Sequence, residues 1–348
     1  MNTSTFFPAE WHPQSAIQLT WPHAGTDWFA SLHEVLECYV EIARNIAERQ
    51  KLLIICHEPE EVKTQLKGCN LDNIRLHKLP TNDTWARDHG GITLIENGEP
   101  VLLDFRFNGW GLKFAANHDN LLTRRMYLDG LFNKSVHYRN CQHMVLEGGA
   151  LESDGEGTLL TTVDCLMAPN RNDHLNKEDI EEELKKIFKL KRILWLHYGY
   201  LEGDDTDSHV DTLARFCDPQ TIAYVQCQDR DDPHFEALQK MEQELLKFRT
   251  IDEESYRLVP LPMADIALDE DGHRLPATYA NFLIINGAVL LPFYANEVKN
   301  QQAKAALESA FPQHEIIGIN CEPLIQQHGS LHCITMQYPV GVIAEENK

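Results

Sequence analysis

The sequence predicts a single α/β domain over residues 1–348 with pseudo-rotational symmetry, its strands converging on a centre. Two observations carry this expectation. A hairpin signature recurs four times at intervals of roughly 60 residues, the range in which internal repeats are expected. Helical segments lie between the hairpins, and no low-complexity stretch or Pro/Gly/Ser linker divides the chain. In such an arrangement, loops from distant parts of the sequence meet on one axis.

The first hairpin is "GITLIENGEPVLLDFRF" (91–107), two β-rich runs around Asn97-Gly98, both of which tolerate positive φ. The pattern returns in "GGALESDGEGTLLTT" around Asp154-Gly155, in "VDTLARFCDPQTIAYVQ" around Asp218-Pro219, and in "ATYANFLIINGAVLLPFY" around Asn286-Gly287. Among the helices, "SLHEVLECYVEIARNIAERQ" opens with Ser31 and Glu34 in capping-box spacing and sets Leu32, Val35, Leu36, Val40, Ala43, Ile46 and Ala47 on one broad face. "DPHFEALQKMEQELLKF" begins with Asp232 and Pro233 as an N-cap and first-turn pair. "NKEDIEEELKKIFKL" presents Ile180, Leu184, Ile187 and Phe188 to a core, with the charges from Glu181 to Lys186 on a solvated face.

Composition argues against several classes of function, although an acid excess also serves solubility and net charge alone does not choose between the two. The formal charge of −22 repels phosphate backbones and anionic lipid, so nucleic acid and membrane surfaces are poor partners and cations good ones. No apolar run is long enough to span a bilayer, and the start lacks the pattern of a signal peptide, so a cytoplasmic location is expected. Nine cysteines, an odd number with no C-x-x-C pair, read as reduced thiols and not as a disulfide framework or structural zinc site.

Four stretches break the hydrophobic alternation with polar residues among glycines and aromatics: "TNDTWARDHGG" (81–91), "VLEGGA" (145–150), "GDDTDSHVDTLARF" (203–216) and "HGSLHCITMQYP" (328–339). If "SHVDTLARF" starts a strand, His209 and Asp211 project on one face, an imidazole and a carboxylate in one small volume. That pair serves acid/base chemistry, supplies two metal ligands, or is a hydrogen-bonded strand end. Trp85 is a core or recognition residue, and Arg87 with Asp88 an ion pair or part of a site. In the last stretch, a strand from Leu331 to Tyr338 would point His332 and Cys333 to opposite faces, so His332 is not the base for Cys333. A nucleophilic Cys333 would need a histidine from elsewhere in the fold; otherwise it is a buried hydrophobe.

Taken in order, "NDTWARD", "LEGG", "DDTDSHVDTLARF", "LPATYANFLIINGAVLLP" and "GSLHCIT" resemble the signature segments of the agmatine deiminase family, related to the bacterial-type peptidyl-arginine deiminases within the guanidine-modifying (pentein) superfamily. The resemblance implies a five-bladed α/β propeller, with N- and C-terminal strands completing one blade. It also implies hydrolysis of a guanidinium to a ureido group and ammonia, without metal or organic cofactor, on a small cationic guanidino substrate, and a homodimer. Agmatine is the expected substrate, with arginine or a peptidyl-arginine as the alternative; a metal hydrolase and a non-catalytic guanidino binder are the readings from other classes.

Carried over by position, the implied catalytic set is Asp88, Glu147, His209, Asp211 and Cys333. Asp88 and Asp211 would accept N–H bonds from the planar guanidinium. Cys333 would add to its central carbon, His209 would move protons, and Glu147 would orient His209. Trp85 would lie along the aliphatic chain and Asp205, or else Asp204 or Asp207, would receive a distal ammonium. Carboxylates beside Cys333 oppose its ionisation, so the thiol is expected to ionise largely as the cationic substrate binds. Ser208 stands where glycine is common in the family, and the glycine run before Cys333 is short.

Overall fold

A computed structural model describes residues 5–344. Strands β1 (Gln14–Thr20), β2 (Lys51–Cys56) and β3 (Ile74–Lys78) come first. Four further groups follow: β4 (Ile92–Glu96), β5 (Glu99–Arg106), β6 (His137–Val145); β7 (Glu152–Ser153), β8 (Thr158–Thr162), β9 (Arg192–Leu196); β10 (Ala214–Asp218), β11 (Thr221–Gln226), β12 (Arg257–Pro262); and β13 (Leu283–Ile285), β14 (Ala288–Phe293), β15 (Glu315–Asn320). Strand β16 (Thr335–Pro339) closes the chain.

Each of these four groups is a three-stranded sheet with one pattern, an antiparallel pair followed by a parallel third strand. The fifth sheet, β16-β1-β2-β3, follows the same rule across the termini: β16 is antiparallel to β1, β1 is parallel to β2, and β3 is added beyond. A parallel partner demands a crossover, and helices supply it. Helix Leu32–Ala47 joins β1 to β2, Leu122–Leu128 joins β5 to β6, Lys177–Phe188 joins β8 to β9, Phe235–Leu245 joins β11 to β12, and Glu297–Ala310 joins β14 to β15.

Local chemistry explains most of these boundaries. At Asn97-Gly98 both residues have positive φ (54° and 85°), and Glu96 pairs with Glu99, so the turn is the tight form that matches strand twist. Helix Leu32–Ala47 buries Val35, Tyr39, Ile42 and Ile46, a stripe at helical spacing; burial of each of the three aliphatic side chains stabilises by about 1.5–3 kcal/mol. Its expected capping box is not formed, because the Ser31 side chain makes no cap bond at the end of a preceding turn of 3-10 helix. The capping box is instead at Lys177–Phe188, where Asn176 and Asp179 exchange bonds. Helix Phe235–Leu245 starts after the expected Asp232-Pro233, since Asp232 spends its carboxylate on the His234 amide and on Arg274.

Candidate active site

Five segments from separate parts of the chain meet at one buried volume. Asp88 lies on the short helix Ala86–His89 just ahead of β4, and Glu147 follows β6. His209 and Asp211 precede β10, Asn281 precedes β13, and Cys333 precedes β16. Gly149 is the gauge of their convergence. A Cβ there would sit 2.5 Å from His209 Nδ1, 3.0 Å from Asp88 Oδ1 and 3.2 Å from Asp211 Oδ2, so the approach of the three side chains requires glycine.

Two local expectations are corrected. His209 and Asp211 do not start a strand: Val210–Thr212 is a turn of 3-10 helix, closed by the Thr212 amide and hydroxyl on the His209 carbonyl, and β10 begins at Ala214. The left-handed Asp207 and Ser208 (φ 64° and 67°) lead into that turn, a conformation for which glycine is natural. Nor does a strand begin at Leu331; a turn runs to Ile334 and β16 starts at Thr335. His332 and Cys333 therefore do not alternate across a sheet. The ring of His332 donates from Nδ1 to Asp211 Oδ2 at 2.7 Å, and Cys333 Sγ lies 3.9 Å from the same oxygen and 3.3 Å from Asn281 Oδ1. His332 is still no base for the thiol, since its other nitrogen faces Glu10 Oε2 at 2.6 Å.

The electrostatics follow from burial. Asp88 accepts from the Gly149 amide (3.1 Å) and the Trp110 indole (3.0 Å), yet burial, with Asp211 and Glu147 adding to it, pushes its carboxyl well above the usual range. His209 is fully buried and neither ring nitrogen has a hydrogen-bond partner among the described residues; Asp88 Oδ1 is 3.6 Å from Nδ1 and Glu147 Oε2 4.0 Å from Nε2, too far to bond. Burial pushes this imidazole down to about 3. Glu147 is raised by burial even though both its oxygens accept from Arg171 Nε. Burial acts upward on Asp211 too, but His332 outweighs it and holds this carboxyl below the usual range, with Oδ1 unpartnered. Burial first, then Asp211 and Asp88, raise the Cys333 thiol well above its ordinary value. Among the described residues, the group of three possible metal donors that contains His209 is completed by Glu147 and Cys165 and not by Asp211, and Arg171 already bonds that glutamate.

Asp88 and Cys333 open into a cavity of about 130 Å³. Trp85, Trp110 and Phe114 wall it, and Asp27, Asp83, Asp205, Thr206, Gln327 and His328 line it toward solvent. Trp85 is both core and wall: its ring packs 5.7 Å from that of Trp28 and lies against Gly329, where a Cβ would come within 2.1 Å. Of the three acids offered for a distal cation, Asp205 lines the cavity, Asp204 caps its own turn, and Asp207 pairs with Arg171 and Lys113. Arg87 turns away from Asp88 and donates to Gln337.

Trp110, Asn281, Asp27 and Asp83 were not singled out by the sequence reading. Trp110 is held in a left-handed conformation (φ 54°) between Gly109 and Gly111, at a cost of roughly 1–2 kcal/mol. The glycine-flanked tryptophan of "FNGWGLKF" was the available signal.

A family model for the Porphyromonas-type peptidyl-arginine deiminases matches residues 6–339. The chain belongs to this family. An agmatine deiminase of Ectopseudomonas mendocina is 31% identical over 357 residues, covering 95% of each chain. Among solved structures, a Porphyromonas gingivalis protein provisionally named an arginine deiminase is 52% identical, with a TM-score of 0.94 over 98% of this chain and 100% of that one. A cysteine-to-serine variant of C. jejuni agmatine deiminase with substrate bound is 38% identical, with a TM-score of 0.89 over 96% of each chain. As a member of this deiminase family the chain is a hydrolase of amidine C–N bonds. No helix among the described residues is long and apolar enough to cross a membrane.

Proposed function

We propose that this deiminase hydrolyses agmatine to N-carbamoylputrescine and ammonia through a covalent intermediate on Cys333. The observation that carries the reading is the charge of the cavity: carboxylates at its buried end (Asp88, with Asp211 behind) and at its open end (Asp27, Asp83, Asp205), joined by aromatic walls. A small molecule with a cation at each end and methylenes between matches that sequence of surfaces. Arginine would bring an α-carboxylate to the same acids. The lining side chain best able to meet it is His328, whose Nδ1 is already 2.7 Å from the Gly203 carbonyl. The name of the P. gingivalis relative keeps arginine as the second reading.

In the proposed reaction the guanidinium lies between Asp88 and Asp211, taking the remaining lone pairs of Asp88 and the free Oδ1 of Asp211. Its positive charge lowers the cost of ionising Cys333, whose thiolate adds to the central carbon. His209 takes up the proton that Cys333 releases and passes it to a terminal nitrogen, the C–N bond breaks, and ammonia leaves an S-linked amidine. Water, deprotonated by His209, then attacks the same carbon; the C–S bond breaks and the ureido product departs. Glu147, fixed by Arg171, lies on the far side of the ring and stabilises His209 as it gains a proton. We further infer that the five sheets stand as blades of one propeller, supported by their shared strand pattern and by the convergence of their loops on this site. Ammonia release from agmatine, arginine and a peptidyl-arginine, with and without chelator, tests the assignment. Agmatine should give the highest kcat/KM and chelator should change nothing. Preference for arginine, or loss of activity on chelation, would overturn it.

A further inference from the structure

Behind Asp211 lies a second set of buried charges. Glu10, from the segment before β1, reaches His332 Nε2 at 2.6 Å with Oε2, which also accepts from Arg215 Nη2 at 2.7 Å and lies 3.9 Å from Arg87 Nη2. Arg215 Nε is paired with Glu152 on β7, and its Nη1 donates to the Phe282 carbonyl at 2.7 Å. The His332 side chain is 1% exposed, and its backbone amide is held by Asn281 Oδ1, which also accepts from the Cys333 amide. Both imidazole nitrogens thus face carboxylate oxygens at hydrogen-bonding distance. Arg215 Nη2, which can only donate, also lies 3.1 Å from His332 Nε2, but the Glu10 contact to that nitrogen is the shorter, at 2.6 Å. A carboxylate offers only lone pairs, so with the ring bonded to Glu10 and to Asp211 each contact takes an N–H, and a ring with two N–H groups is a cation. The charges balance within the cluster: Glu10, Glu152 and Asp211 against Arg87, Arg215 and His332.

We propose that His332 is a positioning residue for the deimination reaction, a buried imidazolium that locks Asp211 by Oδ2 and leaves Oδ1 ionised and aimed at the substrate. This rests on the proposed chemistry of Cys333 and gives its site a component that the thiol lacks otherwise. Asp211 Oδ2 is 3.9 Å from Cys333 Sγ, and an uncompensated charge there opposes thiolate formation. By bonding that same oxygen, His332 draws its charge away from the sulfur while keeping Asp211 a carboxylate. The direction of the Asp211 shift agrees, since His332 is what holds this buried group below its usual range. Glu10 fixes the ring from behind, and against burial His332 first and then Arg215 hold Glu10 well below the usual carboxylate range.

The test uses the full chain carrying His332→Gln, which keeps a donor but no charge, beside Glu10→Gln, which removes only the rear partner. Active sites are counted by stoichiometric labelling of Cys333 with a haloacetamide, so misfolded protein does not enter the rates. Loss of one charge-assisted bond lowers kcat/KM for agmatine per active site on the order of 10- to 100-fold in His332→Gln. Because Asp211 then loses the partner that keeps it ionised, the acid limb of the pH profile moves to higher pH and KM rises. At a pH above the acid limb, where Asp211 is still ionised but no longer compensated, alkylation of Cys333 slows. Glu10→Gln gives the same changes to a smaller degree. Unchanged acid limb and alkylation rate in both variants, with any loss of activity traced to fewer active sites, would overturn the proposal. If wild type turned over no guanidino compound, the deiminase reading would fail instead, while the alkylation comparison would still report on His332.

Discussion

Two layers of buried polar residues lie back to back at Asp211, and they are built on opposite rules. In the rear layer nearly every charge has a partner: Glu10 also accepts the Ile284 amide, Glu152 the Phe216 amide, and Arg215 spans both acids. In the front layer His209 has two ring nitrogens and Asp211 one oxygen without a partner among the described residues, and Asp88 and Cys333 are pushed toward their neutral forms by burial. Burial alone does not separate the layers, since all these side chains are close to fully buried. What differs is whether the chain or a ligand completes the bonds. A buried polar group left open costs stability, and the proposed cationic substrate would complete the bonds of the open layer.

Substitution should expose this difference. Asp88→Asn is expected to lower turnover on the order of 10³-fold, as removal of a preorganised charge partner does. Its effect on stability has the opposite sign. The folded pKa of Asp88 is raised, so the unfolded state ionises first, and the fold loses stability as pH rises above the unfolded value of about 3.9. Removing the carboxyl should therefore leave the melting temperature at neutral pH unchanged or higher, with the gap to wild type closing in acid. Arg215→Met makes the contrast in the rear layer: with Glu10 and Glu152 left uncompensated, denaturant unfolding should report a loss of about 3–5 kcal/mol. If the two variants changed stability alike, the division into layers would be wrong.

Gly149→Ala probes the front layer by shape alone. Its methyl would press His209 Nδ1 from 2.5 Å, and a displacement of that order costs roughly 100-fold in kcat/KM while charge stays constant. Asp205→Asn should be mildest, raising KM for agmatine on the order of 10-fold with kcat nearly unchanged, because this half-exposed acid meets the distal cation in screened surroundings. A guanidino compound lacking the distal amine should be insensitive to it.

The legibility of the molecule in its sequence follows the same division. Turns with a steric requirement could be read: Asn97-Gly98 and Asn286-Gly287 join the strands expected of them. The recurring hairpins foretold sheets of one pattern, while the pairing of β16 with β1 came from the family resemblance, because contacts between chain ends leave no local trace. The front-layer residues were named for the same reason, as members of an ordered set of segments, and the structure brings Asp88, His209 and Asp211 together at Gly149. His209 and Asp211 were placed in one volume by strand alternation, and a turn brings them there instead; the outcome survived a wrong cause. The rear layer was missed since its members are spread over Glu10, Glu152, Arg215 and His332, each an ordinary residue until the fold assembles them. His332 was dismissed as the wrong base, and its two carboxylate partners appear only in three dimensions. Asn281 lay inside a recognised segment without a role until its side chain was seen at both amides of the His332–Cys333 turn.

The covalent step at Cys333 is the claim on which the rest depends, and acid-quenched mass spectrometry during agmatine turnover tests it directly. The account predicts an amidine adduct on the peptide containing Cys333, present at early times, lost as substrate is exhausted, and absent from Cys333→Ser. Full turnover with Cys333 unmodified at every time point, or an adduct on any of the other eight cysteines, would contradict it.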